Sequence, residues 1–333
     1  MATIKEIALL ADVSPATVSR VINGTAKVDE EKRKRVEKAI KKTGFQPNAL
    51  ARALYKKSSK IIGLIVPDIV NPFFNELAQA IEDHAHKNGF NILLSNSNND
   101  SNKEAEHISL LQSMHADGII LVTNNSRTGD IIRNCKIPVI VVDRHVEDAG
   151  EVAHIESDHY HGGRLASQCL VDKGCKKIVC MRGPQSFASG KLRFKGYKDV
   201  CKENNLEVMY IDTAYSFEAG ERAAKKLLEK YPDVDGVVAA NDMVAMSLYK
   251  LLKSQGKKVP KDIQIVGFDD IGIISLVTPS FTTVHQPIKA MGQRAIEIVC
   301  KHINGESYET ENIFQVKLIE RETTRKNAKS PSL

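Results

Sequence analysis

Tryptophan is missing from the 333 residues, and only 5% are aromatic. No apolar run approaches the roughly 18–20 residues that a membrane-spanning helix needs, so no membrane partner is expected. The six cysteines (135, 169, 175, 180, 201, 300) include no C-x-x-C pair. They read as small buried hydrophobes of a reducing compartment rather than a zinc or disulfide framework. After the first β-branched run comes Pro67-Asp68-Ile69-Val70-Asn71, not G-x-G-x-x-G or a phosphate loop, which leaves dinucleotide and NTP chemistry unsupported. Met1 to Leu10 lacks the basic start, apolar stretch and small-residue cleavage site of a secretory leader. A cytoplasmic chain is the expectation. Its 42% hydrophobic and 26% charged content is that of a folded protein, and its length suits two or three domains of about 100–200 residues.

Charge is unevenly placed. Residues 1–60 carry 14 Lys/Arg against 6 Asp/Glu, a net of +8, whereas the remaining 273 carry 33 against 35, a net of −2. A basic head on a nearly neutral body points to a polyanion such as nucleic acid, with a merely solvated basic face as the alternative.

Three short helices fit the head. Thr3 is placed to cap the first, in which Ile4, Ile7, Ala8 and Ala11 share a face. Asp12-Val13-Ser14 makes a tight turn, and Ser14 caps a second helix with Pro15 in the favoured first position. Val18 and Val21 can pack inward while Ala16, Thr17, Ser19 and Arg20 stay outside, which is the division of a helix-turn-helix. A third helix, about Glu30 to Lys42, ends at Gly44, a natural left-handed cap.

The run Ile4 to Asn23, with Phe45-Gln-Pro-Asn-Ala-Leu-Ala-Arg-Ala-Leu54 after it, resembles the lactose/galactose repressor (LacI/GalR) family, and the likeness extends through nearly the whole chain. One departure is Asp12, where that family usually has Gly; Asp tolerates a left-handed turn. The resemblance implies that Ala16 and Arg20 face base edges, Arg20 being suited to guanine. Thr3, Ser14, Pro15, Thr17, Ser19 and Asn23 would then line the DNA backbone. Without DNA, Ser14 is simply a cap and Arg20 a solvated charge.

Pro47 to Leu54 is rich in helix formers but offers about two turns, and isolated helices below ~12–15 residues are marginal in water. The resemblance implies that two such hinges, one per subunit, order each other in the minor groove, with Asn48 and Arg52 on the DNA and Leu54 as an apolar wedge. A plain linker helix packed on the body is the alternative.

From Ile61 onward, short strands (Ile61–Val66, Asn91–Ser95, Gly118–Val122, Val139–Val142, Lys177–Met181, Gly236–Ala239, Ile263–Gly267) alternate with helical stretches such as Phe73–Asn88, Gly162–Lys173 and Ala219–Lys230. That alternation means an α/β body with doubly wound parallel sheets, and its length suits two subdomains. The expected division is a helix-turn-helix head over 1–46, a hinge and linker over 47–59, and a core over 60–333. Within the core the split falls near 157–160, with crossovers near 286 and 315. The polar tail from Thr323 to Leu333 is expected to fray.

Ligands of such folds bind at the carboxyl ends of strands. Those ends read Asn71-Pro-Phe73-Phe74, Asp143-Arg144, Asn241-Asp242, Gly267-Phe-Asp269-Asp270 and His285-Gln286-Pro. Carboxylates, amides and a guanidinium beside aromatics suit a polyol ring. The body resembles the sugar-binding core shared by the family and periplasmic sugar-binding proteins. More narrowly, Asn71, Phe73, Phe74, Asp143, Arg144, Asn241, Asp269 and Gln286 match the pattern of ribose-binding proteins, and T-T-V-H-Q-P and D-D-I that of the family's ribose-responsive members. A sugar-binding Arg is expected within Ser189 to Arg193; Lys191 occupies its position, with Arg193 as the substitute. Singly, Asn71 and Asn241 could be helix caps, Phe73 and Phe74 core, and Asp269 a loop cap.

Other chemistry is poorly supported. Asp269 and Asp270 are adjacent and should point apart, unlike a glycosidase pair. His154, His159 and His161 read less well as a metal site than as a helix start in which Asp158 caps and both later histidines lie exposed. No nucleophile is justified by spacing, so no enzyme and no cofactor are expected. The resulting expectation is a homodimer, or a tetramer, on a pseudo-palindromic operator in double-stranded DNA. It would be controlled by a small sugar, D-ribose acting as inducer, and would sit with the nucleoid. A catabolite-control regulator steered by a phosphoprotein, or a repressor for another sugar, is the alternative.

Overall fold

A computed structural model describes residues 2–24, 27–45, 58–123, 128–146 and 148–326. It forms two compact units, a helical head and an α/β body. In the head, α1 (Ile4–Ala11) starts at a capping box between Thr3 and Glu6, and α2 (Pro15–Asn23) starts at Ser14, whose side chain accepts from the Thr17 N–H. The third helix, α3 (Glu30–Thr43), is capped by Asp29 and stopped by Gly44 at φ 62°. Ile7, Ala8, Ala11, Val18, Val36 and Ala39 form the head's small core. Ile4, expected to share a face with Ile7, Ala8 and Ala11, is 41% exposed, unlike those three, which are buried.

The body begins with β1 (Ile61–Val66), α4 (Pro72–Lys87), β2 (Asn91–Asn96), α5 (Ser101–Ser113), β3 (Gly118–Leu121), α6 (Thr128–Arg133), β4 (Val139–Val142) and β5 (Ala153–Ser157). It continues through α7 (His159–Asp172), β6 (Ile178–Arg182), α8 (Ala188–Glu203), β7 (Met209–Asp212), α9 (Phe217–Lys230), β8 (Gly236–Ala239), α10 (Asp242–Ser254) and β9 (Gln264–Asp269). A 3₁₀ turn at Gly272–Ser275, β10 (Thr282–His285), α11 (Ile288–Asn304), β11 (Glu311–Phe314) and β12 (Lys317–Ile319) complete it.

The strands make two six-stranded sheets, ordered β11-β5-β4-β3-β1-β2 and β12-β10-β9-β8-β6-β7. Every pairing is parallel except β10 with β12. The chain passes between the sheets three times: from β5 to β6, from β10 to β11, and from β11 to β12. Central strands are buried on both faces, which is why they read as unbroken Ile/Val/Leu runs. Strands β5, β7, β10, β11 and β12 lack such runs; β7, Met-Tyr-Ile-Asp, is a half-exposed edge.

The Cys169, Cys175, Cys180 and Cys201 side chains are buried, while Cys135 and Cys300 are half-buried; none of the six is in a disulfide. Burial pushes Cys169 and Cys175 up to about 12. The tail departs from expectation at its start: Thr323 and Thr324 are buried, and Thr323 donates to the Ile265 carbonyl at 2.8 Å. These β-branched hydroxyls are taken up as side partners of β9 and β10, which holds residues 323–325 in place.

Candidate functional site

Strand ends from both sheets meet in one pocket of the body. Asn71, Phe73 and Phe74 enter from the start of α4, Asp143 and Arg144 from the end of β4, and Asn241 from the end of β8. Asp269 enters from β9 and Gln286 from the segment after β10. Arg193 of α8 and Tyr215, after β7, close the lining. The cavity is narrow, about 20 Å³, far below the ~300–1,000 Å³ of drug-sized sites.

Its polar groups are buried and partly unsatisfied. Arg144 Nε donates to Asp143 Oδ2 at 3.0 Å, and Gln286 Nε2 donates to Asp269 Oδ1 at 2.8 Å. Among the described residues, Asp143 Oδ1 and Gln286 Oε1 are buried without a hydrogen-bond partner. An orphan buried acceptor is costly. Two of them facing one small pocket suit a ligand that brings several hydroxyl donors. Asp143 and Asp269 also hold left-handed backbones, at φ 68° and 118°, a strain that tends to collect at functional sites.

Two guanidiniums are held over rings. Arg144 lies 4.6 Å from the Phe187 ring centre and 5.3 Å from Tyr215; Arg193 lies 3.6 Å from Phe268 and 5.7 Å from Tyr215. Arg193 Nη1 donates to the Ala240 carbonyl at 2.8 Å, and its Nη2 sits 3.7 Å from Asp269 Oδ1. The Asp269 carboxyl is pushed up to about 7, chiefly by burial, with Arg193 pulling it down and Asp143 adding to the rise. Behind it, buried Asp242 is raised well above the carboxylate range by burial and then by Asp269; it accepts from Thr283 Oγ1 at 2.6 Å and the Ile271 N–H at 3.0 Å. Asp270 turns the other way, to His285 and Arg321, whose bonds outweigh its burial and hold it below the usual range.

The structure brings together eight of the sequence-derived residues: Asn71, Phe73, Phe74, Asp143, Arg144, Asn241, Asp269 and Gln286. The cap reading is also met, since Asn71 Oδ1 accepts from the Phe73 N–H and Asn241 Oδ1 from the Val244 N–H. Lys191 is the exception: it is exposed, and Arg193 takes the pocket place. At 3.6 residues per turn, positions two apart face nearly opposite ways, so only one of the pair can enter. Tyr215, Phe187 and Phe268 were not named as site residues; Phe187 follows and Phe268 ends a strand marked by an apolar run, the signal that found the others, whereas Tyr215 follows β7, which has no such run. His159 also differs from expectation. Asp158 does cap α7, through the His161 N–H, but His159 is buried beside Phe268 and Arg193, and burial, with the Arg193 and Arg144 cations, holds its ring well below its ordinary pKa.

In the head, Ser14, Pro15, Ala16 and Arg20 are exposed, Thr17 and Ser19 half-buried, and Val18 buried. Asn23 Nδ2 donates to Ser19 Oγ at 3.2 Å. Thr3 is exposed at its cap. Asp12 sits at φ 50°, and its carboxylate meets Arg35 at 3.2 Å. Asn48, Arg52 and Leu54 lie outside the described residues.

Two family models match. That for bacterial regulatory proteins of the lacI family covers residues 3–48, and that for periplasmic binding proteins and the sugar-binding domain of the LacI family covers residues 59–322. The chain is 38% identical over 328 residues to the ribose operon repressor of Bacillus subtilis, covering 98% of this chain and 99% of that one. It is similar to a periplasmic binding protein/LacI transcriptional regulator from Alkaliphilus metalliredigens in complex with D-xylulofuranose, at 38% identity and TM-score 0.73, covering 80% and 100% of the two chains. It is also similar to a lac repressor dimer bound to operator, at 25% identity and TM-score 0.88, covering 97% and 99%. Head and body together, this chain belongs to the LacI family of bacterial regulatory proteins.

Proposed function

We propose that the chain is a cytoplasmic, nucleoid-associated transcriptional repressor that binds a pseudo-palindromic operator as a homodimer and is released by D-ribose. The observation that carries this is the pocket itself. Its two unsatisfied buried acceptors call for donors, its guanidiniums and amides for acceptors, and Phe73, Phe74 and Tyr215 offer apolar faces to C–H groups. The ribose operon repressor relative supports the choice of pentose. Because the D-xylulofuranose complex is as similar in sequence, a ketopentose is the second reading.

The mechanism follows from topology. A sugar held by Asp143 and Arg144 of one sheet and by Asn241 and Asp269 of the other stabilises the arrangement in which the two halves close on it. Closing turns one sheet about the three crossovers, and the segment over 47–59, which leads out of the first sheet, passes that change to the head. Ala16 and Arg20 read bases in the major groove, and Thr3, Ser14, Pro15, Thr17, Ser19 and Asn23 hold the DNA backbone. Asn48, Arg52 and Leu54 act in the minor groove.

Calorimetry with ribose, xylulose and a hexose tests the reading. Ribose is expected to bind once per chain, and Asp269→Ala to abolish that binding while operator binding persists. Heat only from xylulose would establish the second reading, and no heat from any sugar would refute both.

A further inference from the structure

Strand β5 places His154 and Glu156 on the same face, two residues apart, and the parallel register with β11 sets Glu311 opposite His154. The segment after β4 lays His145 over them, its ring stacked on His154 with centres 4.2 Å apart. None of these four side chains lines the sugar pocket. His154 is only 6% exposed, yet among the described residues its Nδ1 has no hydrogen-bond partner, and it faces Glu311 Oε1 at 3.5 Å.

We propose that His145, His154 and Glu311 bind a divalent transition-metal ion of the zinc type. One ligand atom from each lies within 4.8 Å of the other two. Two imidazoles and a carboxylate suit Zn²⁺, Co²⁺ or Ni²⁺ and ill suit Mg²⁺ or Ca²⁺, which prefer all-oxygen shells. His145 already has the outer partner typical of a metal-bound histidine: its Nδ1 lies 3.1 Å from Glu156 Oε1. A proton held in that bond leaves Nε2 with its lone pair for the ion.

Bonds of about 2.0–2.2 Å require the three atoms to draw closer. His145, 40% exposed, and Glu311, 61% exposed, have the room to do so, at the cost of the ring stacking. His154 Nε2 accepts from the Val146 N–H at a long 3.4 Å, which puts the ring proton on Nδ1. On binding, that proton moves to Nε2, the Val146 contact yields, and Nδ1 takes the ion. Because His145 directly follows Asp143 and Arg144, the ion would tie the pocket's β4 arm to β11.

The proposal is independent of the identity of the sugar. Its test is a Co²⁺ titration of the full chain, read by visible ligand-field absorption, with Zn²⁺ competing. One saturable site per chain is expected, with Zn²⁺ bleaching the bands. His145→Ala and Glu311→Gln, both at exposed positions, should each abolish the bands, and Glu156→Gln should weaken binding by about 10–100-fold. Circular dichroism verifies that each variant is folded. The proposal is overturned by a titration without saturation, or by spectra and affinity that survive His145→Ala and Glu311→Gln, which would place the ion elsewhere.

Discussion

The guanidinium carbon of Arg193 lies over the Phe268 ring, 3.6 Å from its centre. The ring fixes the plane of the cation, and the Ala240 carbonyl fixes its direction, so that its remaining nitrogen faces Asp269. An arginine so held meets a ligand with little further ordering cost.

Lysine at that position would keep the charge but lose the stacking and the fork. Arg193→Lys is therefore expected to weaken sugar binding by about 1.5–3 kcal/mol, the range for hydrogen bonds to charged groups. Lys191→Ala should change it by less than about 0.5 kcal/mol, as at other exposed sites. Calorimetry on both variants checks the assignment, and a larger effect at Lys191 would reverse it.

Asp269 links the pocket to pH. Its native pKa is about 7 against an ordinary 3.8. Between those values the folded state holds a proton that the unfolded state has lost, so this group's contribution to stability falls as pH rises from about 4 to 7. Asp269→Asn should remove that slope, which urea melts across the window would show. Hydroxyl donors from a sugar favour the charged carboxylate. Ribose affinity should accordingly rise through pH 7 with proton release, seen as a dependence of the binding heat on buffer; a flat profile would contradict it.

Much of this pocket was legible from a single rule, that ligands of open α/β sheets gather at the carboxyl ends of strands. It reached Asn71, Asp143, Asn241, Asp269 and Gln286 because each follows an unmistakable apolar run or a motif near one. Arg193 was harder, since the helix register decides between it and Lys191. The inward positions Ser189, Gly190, Phe194 and Tyr197 mark the face that carries it, and a helical-wheel reading of α8 would have chosen correctly. His159 was misplaced because first-turn histidines are usually solvated, whereas here the turn abuts the cleft wall. Strands β11 and β12 are short edges without β-branched runs, and they become strands only by pairing with β5 and β10.

Packing of α7 against α8 sets where Arg193 stands. A methyl group on Gly163 would fall on the Arg193 carbonyl, far inside van der Waals contact, and backbone cannot swing aside as a side chain does. Gly163→Ala should cost about 1–3 kcal/mol in urea unfolding and weaken sugar binding as α8 shifts. A variant as stable as the parent would show that the helices have slack.

Arg20 is exposed on α2. Arg20→Ala should weaken operator binding by about 1–3 kcal/mol and relax the preference at one base pair per half-site. A uniform loss across all sequences would mean that the residue touches only phosphate.

The most direct measurement is operator affinity, by fluorescence anisotropy, with and without saturating ribose at fixed salt. The account predicts a fall of about 5–150-fold, the span of a 1–3 kcal/mol coupling between sites. Equal affinity in the two conditions, with ribose demonstrably bound, would contradict it.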